Sequence, residues 1–251
     1  MDLTPLYIVL GAAAGGFVQG LSGFAFGLVA SAVWAWVVVP QLAGPMVVFG
    51  SLLGQILSIA AVRRAFDLGR VLPFVVAGLL GIPIGVVLLK NLDQTIFRLV
   101  VGLILLVYAS TMLFFRNLGP VKGGGRLADG AVGFVGGVMG GVAGLSGPAP
   151  TLWCMLRGWK RDVQRAVYQS FNLVMHAATL AVYTGSGLIT GRAAWMIALV
   201  APAMVIPSLL GVRFYRRISE AMFRRVVLAL VGLSGLGLIA AAAQQLGHGH
   251  W

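Results

Sequence analysis

Apolar residues run along this chain in blocks too long for a soluble fold, with short polar gaps between them. The first block covers residues 5–39, and others cover about 42–62, 71–89 and 97–115. A polar, glycine-rich stretch opening RNLGPVKGGGR follows over 116–127. The pattern then begins again with 128–156, followed by about 166–183, 193–212 and 223–243. A helix needs about 20 apolar residues to cross a bilayer. The three later blocks of each half therefore predict six ordinary transmembrane helices. The leading blocks differ, because each is interrupted by the same tetrapeptide, Gly20-Leu21-Ser22-Gly23 and Gly144-Leu145-Ser146-Gly147. Glycine and serine are poor helix formers, and Pro148 and Pro150 follow the second interruption directly.

The two halves match in order. Gly20 to Gly23 map onto Gly144 to Gly147 at an offset of 124, and Pro83 maps onto Pro207 at the same offset. Gly69-Arg70 maps onto Gly191-Arg192 at 122, and Phe97-Arg98 onto Phe223-Arg224 at 126. These matches predict a first membrane repeat over 1–115, a cytoplasmic linker over 116–127 and a second membrane repeat over 128–251.

Basic residues decide how the leading blocks sit. If each crossed the membrane once, the 18 Lys and Arg would divide 7 against 11 between the two sides. If each is a hairpin that returns to its own side, only Lys90, Arg98 and Arg192 remain on one side, and 15 collect on the other. The second division obeys the positive-inside rule. It places the 15 in the cytoplasm and both termini outside. Each half then makes an odd number of crossings, so the second repeat is inverted relative to the first. The predicted fold is an all-α polytopic membrane protein of two inverted-topology repeats, each a broken or re-entrant helical hairpin plus three transmembrane helices. The hairpin arms, 5–19 and 24–39 in the first half, are about 15 residues each, or roughly 23 Å of helix.

Composition agrees. The chain has 251 residues, a mean hydropathy of +0.98 and only 10% charged residues, where a soluble domain carries about a quarter. A net charge of +12 would suit nucleic acid, but the basic residues lie in short gaps between spans, so nucleic acid is excluded as a partner. Met1-Asp2 offers no basic leader, which argues against a cleaved signal peptide. The one cysteine, Cys154, allows no intramolecular disulfide and reads as a packing residue. His248 and His250 read as a polar tail, and no metal or cofactor site is expected.

Candidate chemistry gathers at the interruptions. A broken helix exposes carbonyls at its end, and the next helix exposes N–H groups that attract anions. Gly20, Gly23, Gly144 and Gly147 would let a ligand approach the backbone, and Ser22 and Ser146 would add hydroxyls. Gln19 precedes the first turn and Phe24 follows it. The acidic residues, Asp2, Asp67, Asp93, Asp129, Asp162 and Glu220, all fall in loops or at helix ends, which disfavours a cation substrate. One span carries a polar stripe, YQSFNLVMHA, in which Gln169, Asn172 and His176 share a helix face. Its counterpart is Gln55 and Ser58. His176 is the titratable group placed mid-span and so the proton-coupling candidate. Interhelical hydrogen bonding is the competing reading of the stripe. The upstream glycines, Gly11, Gly15, Gly16, Gly133, Gly136, Gly137, Gly140 and Gly141, have the small-residue spacing of helix packing. Trp34, Trp36, Trp153, Trp159 and Trp195 read as interfacial anchors. Arg165 opens the polar helix, as a lure for anions or as one more cytoplasmic anchor.

These residues resemble the TauE/SafE (TSUP) family of membrane permeases. The likeness rests on GGFVQGLSGFAFGLV and GGVMGGVAGLSGPAPTLW, and on QRAVYQSFNLVMHAATL in the second half. The resemblance implies a secondary transporter, not an enzyme, that exports sulfite, sulfoacetate or a related sulfonate across the bacterial inner membrane. An anion channel, or an uptake permease for a small organic anion, is the alternative. The expected partners are a small anion and the bilayer, with homo-oligomerisation left open.

Overall fold

The computed structural model describes residues 3–23, 25–58, 67–114, 121, 123–214 and 220–248. These residues form ten α-helices and no strand. The first half holds α1 (Thr4–Ser22), α2 (Phe26–Val37), α3 (Pro40–Ser58), α4 (Leu68–Asn91) and α5 (Gln94–Phe114). The second half holds α6 (Gly125–Ala143), α7 (Pro148–Leu156), α8 (Arg161–Gly185), α9 (Gly191–Phe214) and α10 (Glu220–His248). Short polar side chains set several boundaries. Asp67 accepts from the Arg70 amide at the start of α4, and Asp93 from the Thr95 and Ile96 amides at the start of α5. The protein is an all-helical polytopic membrane protein.

Both leading blocks are broken, and both turn back. α1 ends at Gly23 (φ 81°) and α6 at Gly144 (φ 70°), in the left-handed conformation that glycine adopts without a steric penalty. The Trp34 indole of α2 donates to the carbonyls of Tyr7 and Ile8, both at 3.3 Å. α2 therefore lies back along α1. At the second hairpin, Trp153 donates to Asp129 at 2.6 Å, and the Val121 amide donates to the Leu156 carbonyl. The arms are unequal where equal arms of about 15 residues were expected. α1 and α6 have 19 residues each, while α2 has 12 and α7 has 9. The first arms are roughly 28 Å long and the second arms roughly 18 and 14 Å.

The hairpin glycines also correct the register of the repeat. Gly23 and Gly144 lie 121 positions apart, as do the starts of α1 and α6. The matching tetrapeptides, 124 apart, are not structurally equivalent. In the first half the tetrapeptide forms the last turn of α1 and ends on the capping glycine. In the second it begins on the capping glycine and continues as the loop to α7. The left-handed position demands glycine, so that residue, rather than the tetrapeptide, carries the correspondence.

Among the described residues, six helices are long and apolar enough to cross a membrane: α1, α3, α4, α5, α9 and α10. This is not the expected six. α8 forms over 25 residues but is too polar to count, and α1 takes its place.

Small residues let α1 and α9, and α4 and α6, approach backbone to backbone. A Cβ at Gly16 would meet the backbone of Met204, and one at Gly20 the Ser208 carbonyl. On the other seam, Gly133 faces Phe74, Gly137 faces Gly78 and Gly141 faces Ile82. The packing role expected of the upstream glycines holds here, and Gly20 shares it. Each half thus sends its first helix against the fourth helix of the other, while α5 and α10 meet at Gly102 and Gly235. Trp34 is a further correction. It is fully buried and pins α2 to α1 rather than anchoring at the interface.

Gly137→Val forces a side chain into the Gly78 backbone, and backbone cannot yield as a side-chain tip can. We expect it to destabilise the protein by about 3 kcal/mol, read as a fall in melting temperature in detergent. Gly191→Ala, with open space around it, should leave the melting temperature unchanged.

Candidate functional site

At the first turn, the Gly23 amide donates to the Gln19 carbonyl at 2.7 Å. The Ser22 hydroxyl donates to the Val18 carbonyl at 2.8 Å and accepts from the Ala25 amide at 3.2 Å. It fastens the end of α1 to the approach to α2. Gln19 is fully buried and reaches across the turn, where its Oε1 accepts from the Phe26 amide at 3.1 Å. Its Nε2 is buried without a partner. Gly54 of α3 makes room for it, since a Cβ there would come within 2.7 Å of the Gln19 carboxamide carbon.

At the second turn, Ser146 is fully buried. Its hydroxyl donates to Asn172 Oδ1 at 3.0 Å and lies 3.4 Å from His176 Nε2. Gly147 is close enough to Asn172 that a Cβ would lie 2.9 Å from Nδ2. His176 Nδ1 is buried without a partner. The start of α7 is poor in donors. Pro148 and Pro150 have no N–H, and the Thr151 amide donates to the Gly147 carbonyl at 3.0 Å.

α8 joins the two turns. Gln169 Nε2 donates to the Gly23 carbonyl at 3.1 Å, while Gln169 Oε1 is buried without a partner. One helical turn earlier, the Arg165 guanidinium also lies against Gly23, and its Nε is buried and unpartnered. Three residues beyond Gln169, Asn172 holds the second turn. One face of one helix thus grips both breaks. The turns also approach each other directly, since Leu145 packs against Gly27 at the start of α2.

Of the residues singled out in the sequence, the structure brings together Gln19, Gly23, Ser146, Gly147, Gln169, Asn172 and His176. It does not bring Gly20, which faces α9, or Ser22, whose hydroxyl is engaged in its own turn. Gly144 is the left-handed cap and packs on Val47 and Val48 of α3. Phe24 lies outside the described residues. The helix starts are less open than expected: Ser22 and Gln19 take the Ala25 and Phe26 amides, and prolines stand at two of the first three positions of α7. Polar side chains with unpartnered atoms take the place of open amides. Gln55, also buried, leaves its Oε1 unpartnered. Arg165, left in the sequence as a lure or an anchor, stands at the first turn, and Ser51, which the sequence did not single out, is buried beside Gly27. At an offset of 121, Ser51 and Gln55 answer to Asn172 and His176.

A buried donor or acceptor without a partner costs about 1–3 kcal/mol, and several such atoms gather where the two breaks meet. Stability tests the capping part of this geometry. Ser22→Ala removes a donor and an acceptor from the first turn, and we expect a loss of about 1 kcal/mol, seen as a lower melting temperature.

Residues 7–238 match the family model described as Sulfite exporter TauE/SafE. No curated protein and no solved structure matches the chain. With two broken hairpins held by one polar helix, and a family match over nearly the whole length, the chain belongs to the TauE/SafE family of membrane transporters.

Proposed function

We propose that the protein is a secondary transporter that exports a small sulfur-containing anion, sulfite or a sulfonate such as sulfoacetate, from the cytoplasm across a bacterial inner membrane. The observation that carries this reading is that α8 binds both helix breaks and leaves buried polar atoms unpartnered between them. The donors fit an oxyanion: Gln19 Nε2, the amides of Gln169 and Asn172, and the Arg165 guanidinium. Guanidinium and amide N–H groups are donors that suit the oxygens of a small oxyanion. The described acidic residues support the sign of the charge. Asp67, Asp93, Asp129, Asp162 and Glu220 stand at or just before the starts of helices, away from the breaks.

The hydrogen bonds around His176 suggest how a proton accompanies the anion. The Ser146 hydroxyl gives its proton to Asn172 Oδ1, so it can only accept from His176 Nε2. With that pairing the neutral imidazole carries its proton on Nε2, and Nδ1, buried without a partner, is the open lone pair. Protonation at Nδ1 would add a positive charge and a donor beside the anion. The exchanged packing of α1 on α9 and α6 on α4 supports two halves of opposite orientation, the arrangement that lets a site open to either side in turn.

A thermal-shift titration of detergent-purified protein with sulfite, sulfoacetate, thiosulfate and acetate tests the reading. A sulfur oxyanion should raise the melting temperature and acetate should not. Ser146→Ala and Asn172→Ala should each weaken affinity roughly tenfold, whereas Ser22→Ala should leave it unchanged. Wild-type affinity in both of the first two variants overturns the site. In proteoliposomes, His176→Gln should flatten the pH dependence of transport while anion binding survives. A pH profile like that of the wild type would remove His176 from proton coupling.

A further inference from the structure

A second polar site lies at the end of the bundle where α4 and α6 begin and α7 ends. It is a cavity of about 370 Å³ lined by Asp67, Arg70, Arg126, Asp129, Arg157 and Trp159, large enough for a small polar ligand. It shares no residue with the site between the hairpin turns. Its three arginines all belong to the basic side of the chain, the side assigned to the cytoplasm by the positive-inside rule.

The arginines are held ready. Arg157 lies over Trp153 at 5.9 Å and over Trp159 at 5.7 Å, and Arg70 lies over the same Trp159 ring at 5.1 Å. Stacking on an indole fixes the plane of a guanidinium and removes much of its rotamer freedom, so less is lost when a ligand binds. Two guanidinium groups at one ring also repel each other, and an anion between them relieves that repulsion. Arg157 Nη1 is engaged with the Gly123 carbonyl at 2.9 Å, but its Nε is buried and unpartnered. Arg126 is exposed and makes no hydrogen bond or ion pair with any described residue. The acids are already committed. Asp67 pairs with Arg70 at 3.0 Å, and Asp129 accepts from the Trp153 indole. α6, which carries Arg126, begins at Gly125 after Gly124 with no side-chain cap.

We propose that this cavity binds a phosphate group, either the headgroup phosphate of an anionic lipid in the cytoplasmic leaflet or free inorganic phosphate. Its position at the end of the bundle, beside two tryptophans, suits a headgroup. Bidentate arginine contacts suit phosphate from either source. Occupancy would tie α7, the second arm of a hairpin, to the starts of α4 and α6.

Calorimetric titration of the full-length protein in detergent tests the proposal, with dihexanoyl phosphatidylglycerol, inorganic phosphate and dihexanoylglycerol as probes. Saturable binding of the phospholipid alone identifies the headgroup as ligand, and saturable binding of inorganic phosphate as well identifies the free ion. Dihexanoylglycerol, which lacks phosphate, should not bind. Arg126→Gln and Arg70→Gln should each weaken binding about tenfold. Arg126→Gln should keep the wild-type melting temperature without ligand, because the side chain holds nothing else. Asn172→Ala should bind as the wild type does, which separates this cavity from the site between the turns. The proposal is overturned if neither phosphate probe saturates, if dihexanoylglycerol binds equally well, or if both arginine variants bind unchanged.

Discussion

A helix broken inside a bilayer leaves backbone groups that no water can satisfy, and the break survives only where protein supplies the missing partners. Here the turns supply part of it themselves, through Ser22 and Gln19, and one face of α8 ties the two breaks together. Gln169 donates to the Gly23 carbonyl at the first break, and Asn172 accepts from Ser146 at the second. The rest of the architecture follows from holding α8 at these two places. Because α8 must carry amides and an imidazole, it is too polar to resemble a membrane helix in isolation. Its polar face therefore turns into the bundle, against α3, α4, α6 and α7, while Val174 on another face is exposed.

Holding two breaks in register with one helix needs rigid surroundings, and the glycine seams provide them. α1 and α6 carry the breaks at their ends, and each lies against a long helix of the opposite half at backbone distance. A shift of either seam would carry its capping glycine away from α8. The exchange of partners between halves means that neither hairpin is positioned by its own half alone. Trp34 and Trp153 fasten the returning arms to the outgoing ones, so each hairpin moves as a unit.

Much of this is legible in the sequence because it is periodic or because it is charged. Apolar blocks give the spans, and the distribution of Arg and Lys gives the hairpins. Repeated Gly at four-residue spacing gives the seams. The polar stripe on α8 stands out because amides and imidazole are rare in such a setting. What the sequence hides depends on the third dimension. The two copies of Gly-Leu-Ser-Gly look equivalent, but the left-handed glycine is the last residue of one copy and the first of the other. Ser22 and Ser146 are the same residue in the same tetrapeptide. One closes its own helix and the other bonds across to α8. No local pattern separates those roles. Trp34 reads as an anchor by its place near the end of a block, and only the fold-back of α2 shows why it is buried. The sequence leaves Arg165 as a lure for anions or one more cytoplasmic anchor, and only the fold puts the turn at Gly23 beside it.

The most direct test of the account is a crystal structure of the purified protein soaked with selenite, a heavier analogue of sulfite whose position is marked by anomalous scattering. The account predicts one strong peak between the two hairpin turns, within hydrogen-bonding distance of the Asn172 and Gln169 amides. A structure in which that space stays filled by side chains, with selenite bound elsewhere along the bundle, would contradict it.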